Sequence, residues 1–398
     1  MSVTYPNGFR ASGMTAGLKP SGHPDLGLLI GDPGTTAAGA FTTNRVAAAP
    51  VRLAREVLAA GGGRAVIVNS GQANAATGPR GDADARQVVA RVADELELAH
   101  GDVLPCSTGV IGEPLHLDRM LPAIPALVGS LSPHGGFDFA RAIMTTDTVI
   151  KRATAETGVH RVGGCAKGVG MVAPNLATML VFVTTDAPVA RDDLQRLVDE
   201  QLAPRFNALT VDGCTSTNDS VLLLASGAAG ETAVSPAAPA WDPLAAAVGA
   251  VGESLLRQLA ADAEGASHVL LVDVEGAVST SDARAIAKAV ADSPLVKTAA
   301  FGGDPNPGRI LQAVGSSGAA VEPSSIDVWI GEVAVVERGV IPPGYFEGGD
   351  GPATAARVAM KEPEITIRVS LGDGPGKSRA LGCDLSYGYV KINGEYTT

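Results

Sequence analysis

Aromatic side chains are scarce in these 398 residues: Phe, Tyr and Trp together make up 4%, with two tryptophans. Such a chain cannot fill its interior with rings, so its packing must come from small aliphatic side chains in close contact. Charge is thin as well, at 18% of residues, and a basic excess is absent, since 30 Lys and Arg face 42 Asp and Glu for a net charge of −12. That balance excludes a general nucleic-acid binder, whose phosphate contacts require a basic surface. No apolar run is long and uninterrupted enough to span a bilayer, and the opening MSVTYPNGFRASG lacks a basic stretch followed by an apolar one. The expected location is therefore the cytoplasm. The four cysteines, Cys106, Cys165, Cys214 and Cys383, are scattered, without the close Cys/His spacing of a zinc site, and are expected to be small buried residues. Six histidines are equally dispersed, His100, His116 and His134 in loop-like surroundings, so neither a metal nor another cofactor is expected.

What the chain does have is aliphatic bulk and many turns. With 45% hydrophobic residues it can bury a large core, as one big domain or two intimate ones. Its 49 glycines and 26 prolines point to tight turns between short buried elements. The pattern reads as α/β or α+β. Ala65 to Val68 is expected to be a buried strand, followed by a helix with Ala85, Val88, Val89, Val92 and Leu96 on one face. Met179 to Val183 reads as a second strand, and a helix begins near Asp192 and Asp193, acidic residues suited to a first turn. Further on, Ile365, Ile367, Val369 and Leu371 alternate with polar residues, as in a half-buried strand of an antiparallel sheet.

The segment Lys167 to Leu180 is too rich in glycine and polar groups to be explained by packing. A glycine-punctuated loop runs there into an apolar strand that opens at Thr178. Gly168 to Ala173 also matches the dinucleotide pattern G-x-G-x-x-A, but Pro174 and Asn175 follow where a helix would have to form, and Gly163 and Gly164 interrupt any preceding strand. A threonine after a small residue such as Ala177 suits a different chemistry. Its hydroxyl can attack the preceding carbonyl, and hydrolysis of the resulting ester frees a new N-terminus. That α-amino group, with an ordinary pKa of about 7.7–8.0, can then serve as the base for its own hydroxyl.

Several further motifs appear in order along the chain: Gly39-Ala40-Phe41-Thr42-Thr43-Asn44, Asn69-Ser70-Gly71-Gln72-Ala73-Asn74-Ala75, Ser107-Thr108-Gly109-Val110-Ile111-Gly112 and Thr145-Thr146-Asp147-Thr148. They continue with Thr210-Val211-Asp212-Gly213, Thr215-Ser216-Thr217-Asn218-Asp219 and the final Asn393-Gly394-Glu395-Tyr396-Thr397-Thr398. Taken together they resemble the ornithine acetyltransferases, the glutamate N-acetyltransferase family of arginine biosynthesis, nearly end to end. The resemblance implies a self-cleaving, N-terminal-nucleophile-like α/β enzyme with layered sheets and helices. It implies cleavage between Ala177 and Thr178, giving an α chain of 1–177 and a β chain of 178–398.

The same resemblance implies ping-pong catalysis. Thr178 takes the acetyl group from N-acetylornithine, releases ornithine, and passes the group to the amine of glutamate. Thr108 and the backbone N–H of Gly109 are implied to stabilise the oxyanion. The family's substrate-binding positions fall on Thr145, Lys167, Thr178, Glu264, Asn393 and Thr398. Of these, Lys167 suits a substrate carboxylate and Glu264 the side-chain amine of ornithine. The partners implied are these small molecules, with no nucleic acid and no membrane, and assembly of two cleaved αβ units.

Two positions depart from the pattern: Ser267-His268 stand where many relatives have threonine and lysine, and Pro307 where tryptophan is usual. Neither removes a proposed catalytic group, but both bear on specificity. Other readings are an autoprocessed amidase or aminopeptidase of related fold, an ornithine acetyltransferase of a secondary-metabolite cluster, and a non-catalytic binding protein. Whether acetyl-coenzyme A also donates is not written in any residue of the chain.

Overall fold

A computed structural model describes residues 2–172, 179–347 and 351–395. The chain divides into two compact units, one of residues 2–207 and 215–259, the other of 208–214 and 260–395. Both mix sheets with helices, as expected of an α/β or α+β chain.

The first unit carries nine strands: β1 (Phe9–Met14), β2 (Leu26–Gly31), β3 (Thr36–Phe41), β4 (Ala65–Gln72), β5 (Val103–Val110), β6 (Lys151–Glu156), β7 (Arg161–Lys167), β8 (Leu180–Thr185) and β9 (Ser220–Ala225). They form two sheets, one of four strands in the order β1-β2-β4-β5 and one of five in the order β3-β9-β8-β7-β6. In the first, β4 and β5 are parallel, and their register sets Ser70 beside Thr108 and Gly71 beside Gly109. In the second, β7 and β8 are antiparallel and β8 and β9 parallel.

One core serves both sheets: Leu28, Ile67 and Leu104 of the first belong to the same buried cluster as Cys165, Phe182 and Leu222 of the second. The helix Gly136–Ala142 contributes Phe139 to that cluster, whose ring meets Phe182 edge-on at 5.2 Å between centroids. With so few aromatics, this pair is one of the few places where rings fix the packing, at a worth of about 0.5–1.5 kcal/mol beyond the area buried.

The helix expected after β4 runs Gly78–Leu96, with Ala85, Val88, Val89 and Val92 inward. The helix expected near Asp192 is Arg191–Leu197, and its first turn carries Asp192 and Asp193. One expectation fails at Gly163 and Gly164, which lie inside β7 and do not interrupt it. Glycine is used there for proximity. A Cβ on Gly163 would stand 2.2 Å from the Ser2 carbonyl oxygen, and one on Gly164 would press on Val251, Leu255 and the Phe182 carbonyl.

The second unit is built on a five-stranded sheet of β10 (Val269–Gly276), β11 (Asp327–Ile330), β12 (Val333–Val336), β13 (Glu364–Ser370) and β14 (Gly374–Cys383), ordered β12-β11-β13-β10-β14. The alternation at Ile365, Ile367 and Val369 does mark a strand with those side chains buried. Its sheet is mixed, however, because β13 runs parallel to β10 and antiparallel to β11. Alternation reports that one face is buried and is blind to a neighbour's direction. The helix Thr280–Asp292 covers this sheet with Ala283, Ile286, Ala287 and Val290, and Ser279 caps it by accepting the N–H of Asp282.

Truncating Phe182 to alanine removes one side of the ring pair and opens a cavity in the shared core. The expected loss is about 3–5 kcal/mol in denaturant unfolding, with unchanged secondary structure by circular dichroism in the folded baseline.

Candidate active site

Thr108 and Gly109 lie near the end of β5, beside the matching turn of β4. Gly109 has φ +130°, and a Cβ there would stand 2.2 Å from the carbonyl carbon of Gly71. No other residue fits the place, and the close approach brings two backbones together where Thr108 turns its hydroxyl inward. The surrounding motif residues are buried polar braces. Ser107 donates to Asn69 Oδ1 at 2.6 Å, Asn218 donates to the carbonyls of Ser107 and Ala73 at 2.8 and 2.6 Å, and Ser70 donates to the carbonyl of Ala142 at 2.6 Å. These bonds satisfy groups that would be costly to bury alone.

Lys167 ends β7 and is buried, with 2% of its surface exposed, and its Nζ donates to Thr108 Oγ1 at 3.2 Å. A solvated loop lysine would not do this. A second lysine, Lys151, opens β6 and is buried completely. Between the two cations stands Asp147, whose Oδ1 accepts Lys151 Nζ at 2.7 Å and the Gly168 N–H at 3.0 Å, while its Oδ2 accepts the Thr145 N–H at 3.1 Å. Burial drives the Asp147 carboxyl up, but the charges of Lys167 and Lys151 and the hydrogen bonds outweigh it, and the net displacement is downward. Asp147 is thus a fixed anion that allows two lysines inside the protein and pins the backbone of both Thr145 and Gly168.

Asp219 is another buried carboxyl. Its Oδ1 accepts the N–H of Met179 at 3.0 Å, and Ser220 N–H donates to the Met179 carbonyl at 3.1 Å, so both backbone polar atoms of Met179 are held. Its Oδ2 is buried without a hydrogen bond. Burial pushes this carboxyl well above the usual range, only partly offset by the Met179 N–H, Ser216, Thr42 and the charge of Lys167. Asp219 is therefore displaced towards its neutral form, opposite in direction to Asp147 although both are buried.

In the second unit Glu264 is buried, and its Oε2 accepts Nδ2 of Asn393 at 2.9 Å, which joins two of the expected binding residues. Ser267 and His268 beside them both converge on the Asp384 carboxylate, His268 Nδ1 at 3.0 Å. Because the serine and the carboxylate share one ring nitrogen, this is a brace and not a relay from hydroxyl through imidazole to acid. Ala177, Thr178 and Thr398 lie outside the described residues.

Of the cysteines, Cys106, Cys165 and Cys383 are buried as expected, and Cys214 is exposed, a correction explained by its place in a short polar turn bonded to Asp212. Burial pushes the Cys106 thiol up to about 12, which rules it out as a thiolate nucleophile. Among the described residues no cluster of His, Cys, Asp or Glu has the composition of a metal site, and no helix is long and apolar enough to cross a membrane.

The model of the ArgJ family matches residues 10–398. The chain belongs to the ArgJ family. An arginine biosynthesis bifunctional protein ArgJ of Geobacter sulfurreducens is 45% identical over 98% of this chain and 99% of its own. One from Symbiobacterium thermophilum is 44% identical over 100% and 98%. Among solved structures, the ArgJ protein of Bacillus halodurans is 38% identical and covers 55% of this chain and 98% of its own, at a TM-score of 0.50. Membership in the ArgJ family makes the chain an acyltransferase of arginine biosynthesis.

Within the string Thr145 to Thr148 the resemblance implies a role for Thr145, whereas the centre of its hydrogen bonding is Asp147. Lys151 gave no signal at all. Asp219 stood in a recognised motif, with nothing to tell it from Asp212.

Two substitutions test these assignments. Lys151→Met leaves Asp147 without its closest cation and should cost about 3–5 kcal/mol in denaturant unfolding. For Asp219→Asn the sign follows from the raised carboxyl: the stability it contributes is complete below the ordinary value of about 3.9 and is lost as pH rises towards the raised one. The variant should therefore match the wild type at low pH and gain on it as pH rises, in melting temperature read across that window. A constant offset at every pH would show that Asp219 does not change protonation on folding.

Proposed function

We propose that this chain is a glutamate N-acetyltransferase that takes its acetyl group from N-acetylornithine through an acetyl-Thr178 ester, after cleaving itself between Ala177 and Thr178. The observation that carries the reading is the buried hydrogen bond at 3.2 Å between Lys167 Nζ and Thr108 Oγ1, groups that the family pattern assigns to substrate binding and oxyanion stabilisation.

The chemistry follows from these parts. The Thr178 α-amino group takes the hydroxyl proton as Oγ attacks the acetyl carbon of N-acetylornithine. The oxyanion is met by Thr108 and the Gly109 N–H; one such donor is typically worth about 10²–10³ in turnover. The C–N bond breaks, the amine leaves with a proton from the α-ammonium, and ornithine departs. Glutamate then attacks the ester through its own amine. The C–O bond breaks and Thr178 Oγ recovers its proton.

For this the α-amino group has to be neutral part of the time. A carboxylate at the next residue would favour the ammonium, and Asp219, bonded to the Met179 N–H and pushed by burial towards its neutral form, does so less. Lys167 suits the α-carboxylate of either substrate, and Glu264, with Asn393, suits the ammonium end of ornithine. Thr145 and Thr398 complete the binding positions in this reading. The cytoplasm and an assembly of two αβ units agree with a soluble small-molecule enzyme.

Self-cleavage is compatible with the fold. Strands β3, β6 and β7 precede residue 178 and β8 and β9 follow it, yet all five share one sheet in the order β3-β9-β8-β7-β6. The ladders β3 to β9 and β7 to β8 therefore tie the two products together after the bond is cut.

Intact mass measurement of the purified protein should give two chains, ending at Ala177 and beginning at Thr178, and Thr178→Ala should give one uncut chain without transferase activity. Ornithine release from N-acetylornithine should require glutamate for turnover. Equal rates with and without glutamate would make water the acceptor and the protein an amidase.

A further inference from the structure

Ornithine and glutamate share an α-amino-acid head and end in opposite charges. On the reading above, one acyl-enzyme has to release the first and accept the second, whose side chain ends in a carboxylate. A cationic subsite is needed for the other end.

The first unit holds a cavity of about 320 Å³ whose lining includes Lys19, His23, Arg141, Thr145, Asp147 and Thr148. Its volume lies at the lower end of small-molecule pockets, about 300–1,000 Å³. Thr145 and Asp147 place it against the site already described. Lys19 Nζ donates to the carbonyls of Pro24 at 2.7 Å and Met144 at 2.6 Å, which uses two of the three ammonium hydrogens and fixes the direction of the third. The acids nearby are already engaged. Asp147 accepts Lys151 and two backbone amides, and Asp25 accepts the N–H groups of Ala16, Leu18 and Lys19 at 2.6, 2.6 and 3.1 Å. His23 and Arg141 stand exposed at the rim. Positive charge is thus left over where a ligand would enter.

We propose that this cavity receives the side-chain carboxylate of the acceptor glutamate, with Lys19 as its principal partner and Arg141 at the rim. Burial, reinforced by the charge of Lys167 and opposed by Asp25 and Asp147, lowers the Lys19 amine to about 8. Its charge is therefore held at a cost that an incoming carboxylate relieves. The subsite also disfavours the other substrate by charge, because Lys19 repels the ammonium end of ornithine.

The test compares glutamate with its uncharged isostere glutamine, a ratio in which general damage to the fold cancels. In the wild type, kcat/KM for glutamate as acceptor should exceed that for glutamine, and Lys19→Met should lower that ratio about tenfold to a hundredfold, the worth of one charge-assisted hydrogen bond. Arg141→Gln, at an exposed position, should lower it less, and Lys19→Arg should restore part of it. Calorimetric titration of the cleaved protein with each amino acid, without donor, reads the same preference when no transfer occurs. Absence of transfer from N-acetylornithine would count against the proposed function alone. An unchanged glutamate-to-glutamine ratio in both Lys19→Met and Arg141→Gln, by kinetics and by binding, would overturn the subsite.

Discussion

The arrangement depends on one buried anion. Asp147 holds Lys151 at 2.7 Å, lies within the field of Lys167, and accepts the backbone N–H groups of Thr145 and Gly168. Burying a lysine is expensive unless its charge is matched, and here one carboxylate serves two. That carboxylate thereby steadies two lysines in the part of the first unit where Thr108 lies. Asp147 acts on position as well as charge, because the residues whose backbone it fixes include Thr145 and the neighbour of Lys167.

Interleaving is the second constraint. A chain that cuts itself between residues 177 and 178 would fall apart if the cut separated two independent bodies. The boundary between compact units lies elsewhere, at 207–215 and near 259, while residue 178 falls between two adjacent strands of a single sheet. The parallel pairing of β8 with β9 then puts Met179 within reach of Asp219, so the same sheet that would join the proposed pieces anchors the residue next to the proposed nucleophile.

Much of this was legible in the sequence. The strand at Ala65, the helix after it, and the buried face of Ile365, Ile367 and Val369 follow from periodicity, which is a local property. The motif residues Thr108, Lys167, Glu264 and Asn393 were found by resemblance, and two pairs of them meet, Thr108 with Lys167 and Glu264 with Asn393. What stayed hidden was decided at a distance. Gly163 and Gly164 look like strand breakers until Ser2 and Leu255 are seen pressing on them. Lys151 looks like any charged strand residue until Asp147 is placed beside it. The direction of β10 beside β13 has no signature within either strand.

Two of the buried aspartates show why type and spacing alone cannot assign such roles. Asp147 and Asp219 are both nearly inaccessible, and burial drives both carboxyls upward. They part because two ammonium groups bear strongly on the first, whereas the second has mainly neutral donors, among them the Met179 N–H. One is thereby held towards its anion beside two lysines, and the other towards its neutral form beside the Met179 N–H. The proposed mechanism needs both, since substrate carboxylates are drawn to the lysines that the first steadies, while the amine that activates Thr178 has to lose its proton. Keeping those demands apart within one unit is a matter of which carboxyl the lysines reach, and the four-residue offset from Asp147 to Lys151 across the start of β6 settles it.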